Sequence, residues 1–101
     1  MGQIRLDLNN PGFQRDLFAL GKEERNTLID TLEKLMQLGW QVLYQSAGFS
    51  WEFISSVMGP QGQRISSLRA SQKMRILAWR ESDLLRLLSV HPDHDSAWRQ
   101  P

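Results

Sequence analysis

Apolar and polar residues alternate from Gln3 to Leu8, with Ile4, Leu6 and Leu8 set against Arg5 and Asp7. That period predicts a half-buried strand. Asn9-Asn10-Pro11 ends it, because Asn10 is a good helix N-cap and Pro11 suits a first helical position. A helix is expected from about Pro11 to Leu20, with Phe13, Leu17, Phe18 and Leu20 facing inward and Gly21 closing it. From Lys22 to Leu38 the apolar positions 28, 29, 32, 35 and 36 trace one helical face, acids occupy the first turn, and Gly39 stands as a C-terminal glycine. So short a link between two helices predicts an antiparallel hairpin. Trp40, Val42, Leu43 and Tyr44 suit a short helical turn, whereas Trp51, Phe53, Ile54 and Val57 fit a strand or a turn equally well. Gly59-Pro60-Gln61-Gly62 is a turn.

After Gly62 the pattern changes to strands. Arg64–Ala70, Lys73–Arg80 and Asp83–His91 are three runs of strand length joined by the short links Ser71-Gln72 and Glu81-Ser82, which predicts an antiparallel meander. The fold class is therefore α+β: an N-terminal strand, a two-helix hairpin and a meander sheet with the helices packed on one face, all in one domain over residues 1–101. With Glu81-Ser82 as a two-residue loop, Met74, Ile76, Ala78, Leu85, Leu87 and Ser89 share the helix side, and Arg75, Leu77, Trp79, Leu84, Arg86, Leu88 and Val90 the other. With Ser71-Gln72-Lys73 as a three-residue loop, Leu68 and Ala70 join the helix side and Arg69 falls opposite Arg75. The uncovered face then holds Arg69, Arg75 and Arg86.

The 101 residues carry 12 Lys+Arg, 11 Asp+Glu and no Cys. One core and no second catalytic domain are expected at this length. A disulfide framework, a thiolate zinc site and a cysteine nucleophile are excluded as well. MGQIRLDLNN lacks the apolar region of a signal peptide and no apolar run is of membrane-spanning length, so a cytoplasmic protein with no membrane partner is expected. The net charge of +1 conceals an asymmetry. Residues 1–60 hold five basic and seven acidic residues, and residues 61–101 hold seven basic and four acidic ones, together with both histidines. The C-terminal part is the one suited to an anionic partner.

Charged residues on an uncovered sheet face are ordinary solvated positions. Arg75 and Arg86, however, lie within the two most hydrophobic strands, where a charge is costly unless it is paired or lines a ligand groove. The last strand leads into His91-Pro92-Asp93-His94-Asp95 and then Ser96-Ala97-Trp98. A metal site is disfavoured there, since His-x-x-His on an irregular segment has no third ligand. An ordinary turn capping a last short helix by Asp95-Ser96 accounts for the same residues, as does a source of general acid and base. Lys73, Arg75, His91 and His94 in one groove suit cleavage of a phosphodiester without metal or other cofactor: the cations stabilise charge on the phosphorane and histidine moves protons. Arg69 and Arg86 would add phosphate contacts, and Trp79 and Trp98 surfaces for unpaired bases.

This order of elements, with a final hairpin reading Lys-Met-Arg-Ile-Leu-Ala-Trp-Arg and then Asp-Leu-Leu-Arg-Leu-Leu-Ser-Val-His, resembles the RelE/ParE superfamily of bacterial toxins over about residues 3–98. Arg69 matches a basic position of the family's first meander strand, Met74-Arg75-Ile76-Leu77 its arginine strand, and Leu87-Leu88-Ser89-Val90-His91 its last strand. The resemblance implies a ribosome-dependent mRNA endonuclease neutralised by a cognate antitoxin, with the ribosome and mRNA as its other partners. Arg75 would stabilise the transition state, Arg69 and Lys73 would hold phosphates, and His91 or His94 would act as acid or base. Ser67 stands where such toxins often place a second lysine, and Trp98 where a tyrosine is expected; an indole has no ionisable hydroxyl. Other classes that use the fold are a ParE-like inhibitor of DNA gyrase and a non-toxic module that binds a partner protein through Trp79 and Leu88.

Overall fold

A computed structural model describes residues 3–59 and 61–92 of the chain. Its elements run β1 (Arg5–Asp7), α1 (Pro11–Ala19), α2 (Lys22–Met36), α3 (Trp40–Gln45), β2 (Glu52–Met58), β3 (Arg64–Arg69), β4 (Arg75–Glu81) and β5 (Leu84–His91). This is the expected α+β layout, with one five-stranded sheet ordered β1-β5-β4-β3-β2. β1 lies parallel to β5, and the other neighbours are antiparallel.

Local chemistry explains the element boundaries. Asn10 Oδ1 accepts the free N–H groups of Gly12 at 2.7 Å and Phe13 at 3.3 Å, and Pro11 fills the first helical position. Gly21 does not close α1; with φ −65° it is the N-cap of α2, and Leu20 ends α1. Gly39 likewise caps the start of α3 rather than the end of α2, which stops at Met36. Of the ambiguous 51–57 segment all but Trp51 is strand, paired to β3 through Glu52↔Ser67 and Phe53↔Ser66. Gly62 is left-handed, at φ +82°, and its N–H reaches the Gly59 carbonyl at 3.0 Å.

Phe13, Leu28, Leu35 and Leu43 from the helices pack against Leu68, Ile76, Leu85 and Leu87 from the sheet. Burying each such side chain contributes about 1.5–3 kcal/mol. The buried stripes are narrower than expected. Phe18 is 72% exposed, since five residues beyond Phe13 lies about 140° round the helix. Ile29 and Met36 are also exposed, at the margin of the tight Leu28/Leu32/Leu35 stripe. Leu8 is exposed because β1 ends at Asp7.

The last hairpin departs from the expected register in two places. Its turn is Ser82-Asp83, since Glu81 pairs with Leu84 and Arg80 with Leu85. The shift of two residues leaves the faces of Ile76, Ala78, Leu85 and Leu87 unchanged. Further along, Ala78 pairs with Leu87 but Leu77 pairs with Ser89, so Leu88 is the extra residue of a β-bulge. One inserted residue reverses the alternation. Val90 therefore turns into the core and Ser89 onto the face away from the helices, the opposite of the regular-strand expectation; nor is that face uncovered throughout, since Ser67, Leu77 and Arg75 on it are buried.

Candidate functional site

The three-residue loop Ser71-Gln72-Lys73 sets the register of β3 against β4 and places Arg69 opposite Arg75. Beyond the bulge, Arg75 pairs with His91. Arg69, Arg75 and His91 therefore form one row across three strands, on the face away from Leu68, Ile76 and Val90, spanning two strand spacings or about 10 Å. Exposed Lys73 projects from the loop at the end of this row.

Arg75 is only 7% exposed. Its Nη1 donates to the carbonyls of Ser71 (3.0 Å), Gln72 (3.3 Å) and Met74 (3.1 Å), while the Met74 N–H donates to Ser71 Oγ at 3.1 Å. The guanidinium thus organises the tight loop and is itself held rigid. Burial lowers its pKa from the ordinary value, the Arg69 charge lowers it further, and Glu52 opposes both. Like charges set directly opposite across a ladder repel. Among the described residues neither Arg69, Lys73 nor Arg75 forms an ion pair.

His91 is half-buried, and its Nε2 shares a 2.9 Å hydrogen bond with Ser89 Oγ. Burial lowers its pKa, against an opposing pull from Asp16 on α1. Asp16 is fixed by the Val90 N–H, which donates to its Oδ2 at 2.9 Å. β1 covers β5 only as far as Arg86, and α1 covers the edge beyond it. Neither Asp16 nor Ser89 was visible as a site residue in the sequence: Asp16 lies 75 positions from His91, and Ser89 faces the wrong way in an unbulged strand.

Arg86 lies on the same face but stands apart. It pairs with Trp79, four residues from Arg75 and so about 13 Å along β4. Its Nη1 contacts Asp7 Oδ2 at 2.5 Å, its Nε donates to Glu81 Oε1 at 2.7 Å, and its Cζ sits 5.3 Å from the centre of the Trp79 ring. The hydrogen bond it donates to Glu81 is the largest influence raising its pKa. Arg86 is a charge already matched, not a free cation for phosphate. Trp79 lines a groove of about 510 Å³ with Asp7, Glu81, Arg86 and Leu88, floored by paired charges. His94 and Trp98, with the rest of the 93–101 segment, lie outside the described residues. Among the described residues no three His, Cys, Asp or Glu side chains are grouped as metal ligands.

No family model matches the sequence, and no curated protein matches it. Among solved structures, the chain is similar to a copper-bound mutant toxin from Helicobacter pylori, at 17% identity and a TM-score of 0.48, over 97% of this chain and 100% of that one. A likeness of that size carries no argument about activity. The geometry of this chain has to do so.

Proposed function

We propose that this chain is a toxin of the RelE/ParE type that cleaves mRNA on the ribosome without a metal and is held inactive by a cognate antitoxin. The observation that carries the reading is the Arg69–Arg75–His91 row. Two arginines are opposed across a ladder without a carboxylate partner among the described residues, beside a histidine whose burial favours the neutral form. An RNA phosphate between the two guanidinium groups relieves their repulsion. Arg75, fixed by three carbonyls, is preorganised toward charge that grows on the phosphorane oxygens; Arg69 and Lys73 are exposed and serve as approach contacts.

Neutral His91 accepts the proton of the 2′-hydroxyl. The 2′-oxygen attacks phosphorus, the bond to the 5′-oxygen breaks, and a proton from the histidinium or from water completes the leaving 5′-hydroxyl. The products are a 2′,3′-cyclic phosphate and a 5′-hydroxyl end. Arg86 takes no part.

The test is induction of the wild type, Arg75→Ala and His91→Gln in a bacterial host, following growth and mapping the 5′ ends of mRNA. The wild type is expected to arrest growth and leave 5′-hydroxyl fragments, with cleavage falling about 100-fold or more in either variant. A harmless wild type, or arrest with intact mRNA and DNA-damage signalling, overturns the reading; the second outcome points to a gyrase inhibitor.

A further inference from the structure

The opposite face of the sheet carries a separate aromatic slot between α3 and the β2–β4 edge. Trp40, Tyr44, Trp51 and Phe53 form a continuous chain of rings, with successive centroids 5.9, 5.2 and 6.2 Å apart. Two guanidinium groups lie on them: Arg64 Cζ is 3.9 Å from the centre of Phe53, and Arg80 Cζ is 4.0 Å from that of Trp40. Arg80 also donates to Tyr44 Oη at 2.7 Å. Among the described residues neither arginine has an acidic partner. The slot encloses about 360 Å³, the size of a small-ligand cleft, and Tyr44, Trp51, Phe53, Arg64, Ser66 and Arg80 line it.

Ser66 decides what kind of ring belongs there. It is 1% exposed, and among the described residues its Oγ has no hydrogen-bond partner. A hydroxyl buried without a partner costs about 1–3 kcal/mol. A purely apolar ring in the slot leaves that cost in place, whereas a heteroaromatic ring with donors and acceptors on its edge removes it. Arg80 Nε donates to the Ser82 carbonyl at 2.7 Å, which neutralises no charge, so the two cations, without an acidic partner among the described residues, call for an anion attached to the same molecule.

We infer that this slot binds a nucleoside monophosphate unit, its base stacked among Trp51, Tyr44 and Phe53 with one edge on Ser66 Oγ, and its phosphate held by Arg64 and Arg80. Entry requires Arg64, an exposed side chain on a flexible stem, to swing off Phe53 and onto the phosphate. The site is separate from the proposed cleavage row, being on the other face of the sheet, and does not depend on it.

Calorimetric titration of the full chain with AMP, GMP, CMP and UMP tests the inference, with inorganic phosphate and N-acetylphenylalanine as comparison probes. At least one monophosphate is expected to bind saturably and more tightly than either comparison probe. Phe53→Ala, at a position 53% exposed and so harmless to the core, is expected to weaken it about tenfold, the loss of one stacking surface. Arg64→Glu is expected to weaken it by at least as much. Ser66→Ala gives the readout that a structural role does not: thermal stability of the free chain holds or rises while nucleotide affinity falls. Arg75→Ala, on the other face, leaves nucleotide affinity intact whether or not it abolishes cleavage. Absence of saturable binding, phosphate binding as tightly as every monophosphate, preference for acetylphenylalanine, or affinity unchanged in Phe53→Ala and Arg64→Glu each overturns the inference.

Discussion

Asp16 joins the fold to the candidate site, and its replacement tests both. Its carboxylate accepts the Val90 N–H at 2.9 Å, just past the bulge on the part of β5 that β1 leaves uncovered. A hydrogen bond to a charged group contributes about 1.5–3 kcal/mol, and the lower end applies at a half-buried position where water competes. Asp16→Ala loses that bond but gains about 0.5 kcal/mol of helix propensity within α1. The expected net loss is about 1 kcal/mol, or about 4–8 °C in Tm for a domain of this size. Asp16→Asn keeps an uncharged acceptor at nearly unchanged propensity, so its loss is smaller. Both variants remove the negative charge that raises the His91 pKa, leaving burial as the dominant influence, so that pKa moves further below its ordinary value. Thermal unfolding at pH 7.5 measures the first effect, and NMR titration of the His91 ring, assigned with His91→Gln, the second. An Asp16→Ala chain as stable as wild type, with an unmoved His91 titration, refutes the reasoning.

Two further outcomes follow from the same geometry. Burial makes folded His91 hold a proton less tightly than the unfolded chain does, so the unfolded state takes up more protons as pH drops. The contribution is complete above about pH 6.5, the unfolded value, and is lost as pH falls through the lower folded pKa; urea unfolding at pH 7.5 and 5 is expected to show a smaller decline in His91→Gln than in wild type. Thr31 Oγ1, buried in α2, lies 2.9 Å from the Thr27 carbonyl oxygen and 3.2 Å from that of Ala70, the residue after β3. Thr31→Val is expected to cost about 1 kcal/mol in urea unfolding, with Thr31→Ser losing less because it keeps the hydroxyl.

The legibility of the fold in its sequence varied with the range of the interaction that sets each feature. Asn10-Pro11 and the 71–73 loop act over a few residues, so the start of α1 and the Arg69–Arg75 register could be read directly. The widths of the buried helix stripes depend on how closely the sheet approaches, which no local pattern records, and Phe18, Ile29 and Met36 were accordingly misplaced. The bulge at Leu88 is hidden for a related reason. Leu84, Leu85, Leu87 and Leu88 are interchangeable as strand residues, and the partner that holds the Val90 N–H past the bulge, Asp16 on α1, is remote in sequence. The aromatic slot joins α3 to residues of β2, β3 and β4, so its parts appeared in the sequence as unrelated aromatics and arginines.

The bulge also explains how a chain of nearly zero net charge presents a cationic site. On the sheet face away from the helices, charges at the β1 end are matched: Arg5 with Asp83 at 3.5 Å, and Arg86 with Asp7 and Glu81. At the other end Arg69, Lys73 and Arg75 have no such partners among the described residues. A regular β5 would put His91 on the helix side, leaving this cationic end without a proton acceptor. The inserted residue brings His91 to Arg75 and leaves Val90 for the core, so one irregularity serves packing and the proposed chemistry together. Under the proposed function total charge is a poor guide to anion binding, because exposed pairs at the β1 end cancel locally while the opposed arginines would act at close range on a phosphate between them.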